Sequence, residues 1–249
     1  MPGRQLPPPL PPETRTVGQL VAESLRVYGA RFWPSLALGI GPTLAGVASA
    51  ELPRALQWAL VPTLGTFAWS LALVGACRIA LGTSLENVAV AFVAGCIAFA
   101  PLLTLRVALL PGFDLLMLAF FAFVFLAVPA ALVDRLPLGR ALRRATQLAR
   151  ADYVHALGSL ATLVITIFLS GLVLVFVLHG AGGQAVRVAA FLSLLVLAPV
   201  FLLGAALLYV DQTARLVSSR PRPRRRRDAD VHPALEPDGA GRADAEIEP

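Results

Sequence analysis

Acid–base catalysis in an apolar chain would need two carboxyls at one depth, one holding its proton while the other is ionised. Asp134 and Asp211 are the candidates, each placed just beyond a long apolar run, in "AALVDR" and "LLYVDQTAR". Both have arginines nearby. Asp134 precedes Arg135, Arg140, Arg143, Arg144 and Arg150, and Asp211 stands four residues before Arg215. That i, i+4 spacing favours an ion pair on a helix surface, so pairing is expected at both acids in place of catalysis. Arg106 and Asp114 flank the "PG" turn at Pro111 and Gly112. An ion pair closing that hairpin is the expected role, with substrate binding along a membrane pathway as the alternative.

Other reactive groups are scattered. His155, His179 and His232 are too far apart in the pattern for a metal site or a nucleophile–base dyad. Cys77 and Cys96 fall inside apolar runs without a CxxC, and read as buried free thiols. The chain has no Gly-rich phosphate loop after a strand, no GxSxG and no HExxH. The expectation is a protein that is not an enzyme, with no cofactor and no metal.

The elements that position these residues follow from composition. The 249 residues are 57% hydrophobic and only 14% charged, where soluble domains carry about a quarter charged residues. Mean hydropathy is +0.74. This is the signature of an integral membrane protein. All 21 basic residues are arginine, a bias expected of a GC-rich bacterial genome. The net charge of +6 does not indicate nucleic acid, because the interleaved aromatic and basic residues of a single-strand binder are missing.

A helix needs roughly 20 apolar residues to cross the hydrocarbon core. Six stretches qualify: 33–50, 56–80, 88–110, 112–133, 154–178 and 186–210, an all-α fold of three hairpins. The first is diluted by Gly39, Gly41, Pro42 and Gly46. Counted by side, 18 arginines fall on the side of the N-terminus, against Arg54, Arg106 and Arg187 on the other. Cytoplasmic segments retain positive charge, so both termini are expected in the cytoplasm of a bacterial cell membrane. Residues 1–13 are expected to form a disordered, Pro-rich lead-in, and with no apolar run behind Arg4 no cleavable signal peptide is expected. Residues 14–217 form the membrane domain. In the tail, 218–249, six arginines at 220–227 give way to an acidic, Pro/Gly/Ala-rich end expected to be disordered.

Spacing gives the arginine-rich connection a face. Leu138, Ala141, Leu142, Ala145, Leu148 and Ala149 recur at helical period, with Arg140, Arg143, Arg144, Gln147 and Arg150 opposite. Such a helix is expected to lie in the interface, its apolar side in the acyl boundary and its arginines on anionic phospholipid head groups. A similar helix precedes the first span, where Thr16 and Gln19 have capping-box spacing. Thr83 and Glu86 repeat that spacing before the third span, which would make three units of surface helix plus hairpin. Pro42, Pro62, Pro101, Pro129 and Pro199 fall within spans, where proline is tolerated once neighbours satisfy the freed carbonyls.

At "TVGQLVAESLRVYGARF", "ALVDRLPLGRALRRATQLAR" and "LLYVDQTARL" the chain resembles the bacterial six-span membrane domain found alone or fused to glycerophosphoryl diester phosphodiesterases. The resemblance spans about residues 14–217 and rests on Pro129, Leu148 to Arg150, Leu208, Tyr209 and Asp211; Val210 departs from the Tyr common there. It implies a six-span fold without phosphodiesterase activity, which belongs to a separate soluble barrel. The expected function is to organise or partner membrane and envelope components through basic surface helices, with an envelope protein and anionic lipid as partners. The alternative is a transporter or lipid-handling protein with a path between the Pro-containing spans.

Overall fold

The computed structural model describes residues 11–84, 86–101 and 113–218. Arg106, the side chain of Asp114, the first ten residues and the tail beyond Ser218 lie outside the described residues. Those described fold into ten α-helices with no strand among them.

After a 3₁₀ turn at Pro12–Thr14, α1 (Val17–Ala30) starts at the expected capping box: the Gln19 N–H donates to Thr16 Oγ1 at 3.4 Å and the Thr16 N–H to Gln19 Oε1 at 2.8 Å. Its buried face is Leu20, Ser24 and Tyr28, spaced by four. The next apolar stretch is split into α2 (Phe32–Ala37) and α3 (Ile40–Glu51). Pro42 lacks an N–H and its ring excludes the carbonyl four residues back, that of Leu38, where the helix breaks. Pro129 acts in the same way at Phe125, between α6 (Phe113–Val124) and α7 (Ala127–Val133). Pro62 and Pro199 stay inside continuous helices, α4 (Arg54–Leu81) and α10 (Gly183–Ser218).

α5 (Val88–Phe99) follows α4 without a surface helix between them. Gly82, at φ 65°, closes α4 in the left-handed conformation that ends helices, and Asn87, at φ 61°, interrupts any helix running on from Thr83. The capping box expected of Thr83 and Glu86 therefore does not form, and the middle unit of the expected repeat has no leading helix. Arg31 donates instead to the Ile79 carbonyl at 2.8 Å, satisfying the last turn of α4 from the end of α1.

Four helical stretches are long and apolar enough to cross a membrane: Pro62–Leu81, Leu116–Val133, Tyr153–Leu178 and Gly183–Ser218. Phe32–Ala48 and Val88–Phe99 are apolar but shorter. α10 is the centre of the packing, against α9 (Tyr153–Leu178), α4, α1 and α3. From Ala198 to Tyr209 it is buried on every side, the mark of a core helix. Leu20, Leu73, Phe125, Leu160 and Leu163 belong to the same buried cluster. Small residues set how near the helices come: a Cβ added at Gly204 would lie 2.7 Å from Leu163, and one at Gly95 would lie 2.9 Å from Ser70. The outer half of α9 is the opposite case, with Phe168, Val173, Phe176 and Val177 exposed in a continuous apolar strip, a surface that lipid suits and water does not.

The glycines that dilute the first span have a packing role. A Cβ at Gly39 would sit 2.1 Å from the Leu195 carbonyl oxygen, so the α2–α3 break lets backbone meet backbone. Gly39→Ala is expected to destabilise the fold by about 1–3 kcal/mol or more, read as a lower unfolding temperature in mild detergent. Gly158→Ala, where an added Cβ meets nothing within 4 Å, is expected to leave it unchanged or slightly raised.

Candidate functional site

The amphipathic helix forms where its spacing places it, as α8 (Leu138–Ala151), but its apolar face has a different destination. Ala141, Ala145, Leu148 and Ala149 are fully buried in the protein core, and α8 packs against α7, α10, α6 and α5. The expectation that this face sits in the acyl boundary is therefore corrected. Its three alanines leave the helix thin on that side, so it seats between neighbouring helices where a row of leucines would hold it away. Arg140, Arg143, Gln147 and Arg150 remain exposed along the other side.

Arg144 is the arginine of α8 that turns inward. Its Nε lies 3.5 Å from Asp134 Oδ2, and the Tyr209 hydroxyl donates to the same oxygen at 2.7 Å. Asp134 thus pairs with an arginine of the surface helix, as expected, and also ties α8 to α10. Its neighbour Arg135 stands at φ 51°, a left-handed conformation that is strained for a side chain with a Cβ. Arg135 Nη1 meets Glu86 Oε2 at 2.8 Å, with both side chains more than half exposed, a pair of small energetic weight.

The second acid has a different set of partners. Asp211 does not take Arg215, as the i, i+4 spacing predicts. Its Oδ1 accepts from Arg15 Nη1 at 2.8 Å, in a pair that is 7% and 0% exposed. Arg215 reaches across to Asp152, Nη1 to Oδ2 at 2.9 Å, and its Nη2 donates to the Arg15 carbonyl at 2.8 Å. Asp152 caps α9 by accepting the His155 N–H at 3.1 Å, and its carbonyl accepts from Gln212 Nε2 at 3.3 Å. An exposed i, i+4 pair contributes a few tenths of a kcal/mol, whereas charge-assisted bonds between helix ends are stronger and also satisfy orphan groups. The tertiary partners win for that reason.

Asp134 and Asp211 consequently belong to separate networks and do not form a dyad. Sequence reasoning passed over Arg15 and Asp152. Arg15 read only as one more positive charge, but Asp152, standing before the apolar run of α9, is an N-cap type and was open to detection. Asp211 Oδ2, Gln212 Oε1, His155 Nε2 and Ser159 Oγ are buried without a hydrogen-bond partner at this end of α9 and α10. Among the described residues no group of three or more His, Cys, Asp or Glu is arranged to hold a metal ion. A groove of about 1060 Å³ opens at the ends of α4, α7 and α10, with Asp134, Arg135 and Tyr209 among its lining residues.

Comparisons with family models, with curated proteins and with solved structures give no match to this chain.

The Arg15–Asp211 pair yields a sharp expectation. Removing one partner of a buried pair leaves an uncompensated charge and costs about 3–5 kcal/mol, while replacing both with apolar residues of similar size is far milder. Asp211→Leu or Arg15→Met alone should lower the unfolding temperature markedly in detergent, and the double variant should recover most of the loss. Additive losses would mean that the pair does not couple the N-terminal segment to α10.

Proposed function

We propose that this is a six-span bacterial plasma-membrane protein with both termini cytoplasmic, which engages anionic phospholipid head groups, and an envelope protein partner beside them, through α8. The resemblance to the six-span domain family is consistent with that reading and belongs with it. The observation that carries the proposal is the stripe of Arg140, Arg143, Gln147 and Arg150, exposed at spacings of three, four and three on a helix whose other face is locked into the core. Helical residues at such spacings share one face. Because the helix backbone is fixed, the row meets a partner without a coil-to-helix ordering step, which removes that part of the entropic cost of binding. Each arginine near an anionic membrane surface contributes about 1 kcal/mol.

A transport path between the Pro-containing spans has less behind it. The stretches around Pro129 and Pro199 are buried among apolar side chains, and Asp134, Asp152 and Asp211 are each engaged by an arginine in a structural pair. Arg106 and Asp114, the pathway alternative, contribute nothing to that choice.

The test uses the full chain in mild detergent with Arg140, Arg143 and Arg150 all changed to glutamine. Binding of phosphatidylglycerol over phosphatidylcholine should fall by up to about a hundredfold, the effect of three such arginines, and wild-type binding should weaken with added salt. A triple variant with wild-type lipid preference and the same co-purifying proteins would overturn the proposal.

A further inference from the structure

The groove at the ends of α4, α7 and α10 shares no lining residue with the arginine stripe, and its lining is both apolar and polar. Leu81, Leu132, Val133, Leu207, Val210 and Val217 supply apolar wall, while Thr83, Ser84, Asp134 and Arg135 stand along the lining with Tyr209. Its volume of about 1060 Å³ is at the top of the range for small-molecule sites, about 300–1,000 Å³. The charges are unequal in what they leave available. Asp134 Oδ2 already takes the Tyr209 hydroxyl and faces Arg144, so its charge is answered within the protein. Among the described residues Arg135 pairs with Glu86, and the two side chains are 64% and 60% exposed. A surface pair of that kind contributes little and exchanges readily for a better anion.

Two further features face the same way. Thr83 lines the groove, and its Oγ1 is buried beneath the surface without a hydrogen-bond partner. Arg135 is held at φ 51°, and a side-chain residue kept in the left-handed region is strain of the sort that collects at ligand sites. An exposed cation beside an apolar trough matches an amphiphile with an anionic head. The residues that follow Ser218 directly include Arg220 and Arg222, which would bring like charge to Arg135.

We infer that this groove is a binding site for one anionic phospholipid molecule, its phosphate on Arg135 and its acyl chain along α10. The inference shares only the membrane setting with the proposed role of α8, and the two can fail separately.

The experiment is photolabelling of the full-length protein in phosphatidylcholine vesicles containing a small fraction of phosphatidylglycerol with a photoreactive acyl chain, the labelled peptides being mapped by mass spectrometry. Label should concentrate on residues 80–84, 132–135 and 207–218, and unlabelled phosphatidylglycerol should compete where soluble glycerol 3-phosphate does not. Arg135→Gln should lower that labelling about fivefold, the factor one arginine near a membrane surface supplies. Ala214→Trp should abolish it by filling the trough, and the α8 triple variant should leave it intact. Arg135→Gln changes an exposed side chain, so it keeps the test valid if Ala214→Trp fails to fold. Label spread over the exposed strip of α9, or unchanged in Arg135→Gln, would overturn the inference. Competition by glycerol 3-phosphate would also overturn it, by replacing the lipid with a free phosphate ligand.

Discussion

A carboxylate that is 0% exposed on a helix buried through most of its inner half has to be answered by a cation, and Arg15 is that cation for Asp211. Burying one charge without a partner would cost several kcal/mol, so the segment before α1 is bound to the end of α10. Because Arg215 holds both the Arg15 carbonyl and Asp152, the start of α9 is drawn into the same knot. Three segments far apart in the chain are thereby given fixed relative positions. The apolar packing of α1, α9 and α10 below the knot is non-directional, and the ion pairs select among the ways these helices could slide.

A comparable division of labour operates along the helices. Proline at 42 and 129 breaks the ladder at a residue four positions earlier, and the fold uses one of those breaks for close approach. Gly39 is pressed against the Leu195 carbonyl, so the position that weakens the first span as a membrane helix strengthens its contact with α10. At Gly204, absence of a side chain lets α1 and α9 close on α10 together. Where lipid provides no hydrophobic force between helices, such close contacts carry association.

The consequence for function lies at α8. Its hydrophobic period is that of a helix floating in the interface, yet the face is spent inside the protein. What remains outside is a row of arginines on a helix fixed by packing. A floating helix would sense lipid by inserting into it, whereas a fixed one only presents charge from its outer face. The knot at Arg15 and the bridge from Asp134 to Arg144 hold it in place.

Much of this was legible in the residues. Composition and run length require an all-helical chain with helices long enough to cross a membrane, since a backbone in hydrocarbon must satisfy its own hydrogen bonds. Local rules also placed the Thr16 capping box, α8 and the pairing of Asp134 with an α8 arginine. The failures share one physical character. Thr83 and Glu86 have the right spacing, but Gly82 and Asn87 take positive φ around them; Asp211 and Arg215 have the right spacing, but better partners approach from other helices. Period and spacing describe what a segment can do with its near neighbours, which the sequence by itself determines. The partner of a buried charge, the surface that covers an apolar face and the glycine that admits another backbone depend on residues up to 200 positions away. Only the tertiary structure decides these, because close packing and charge compensation are satisfied in space and not along the chain.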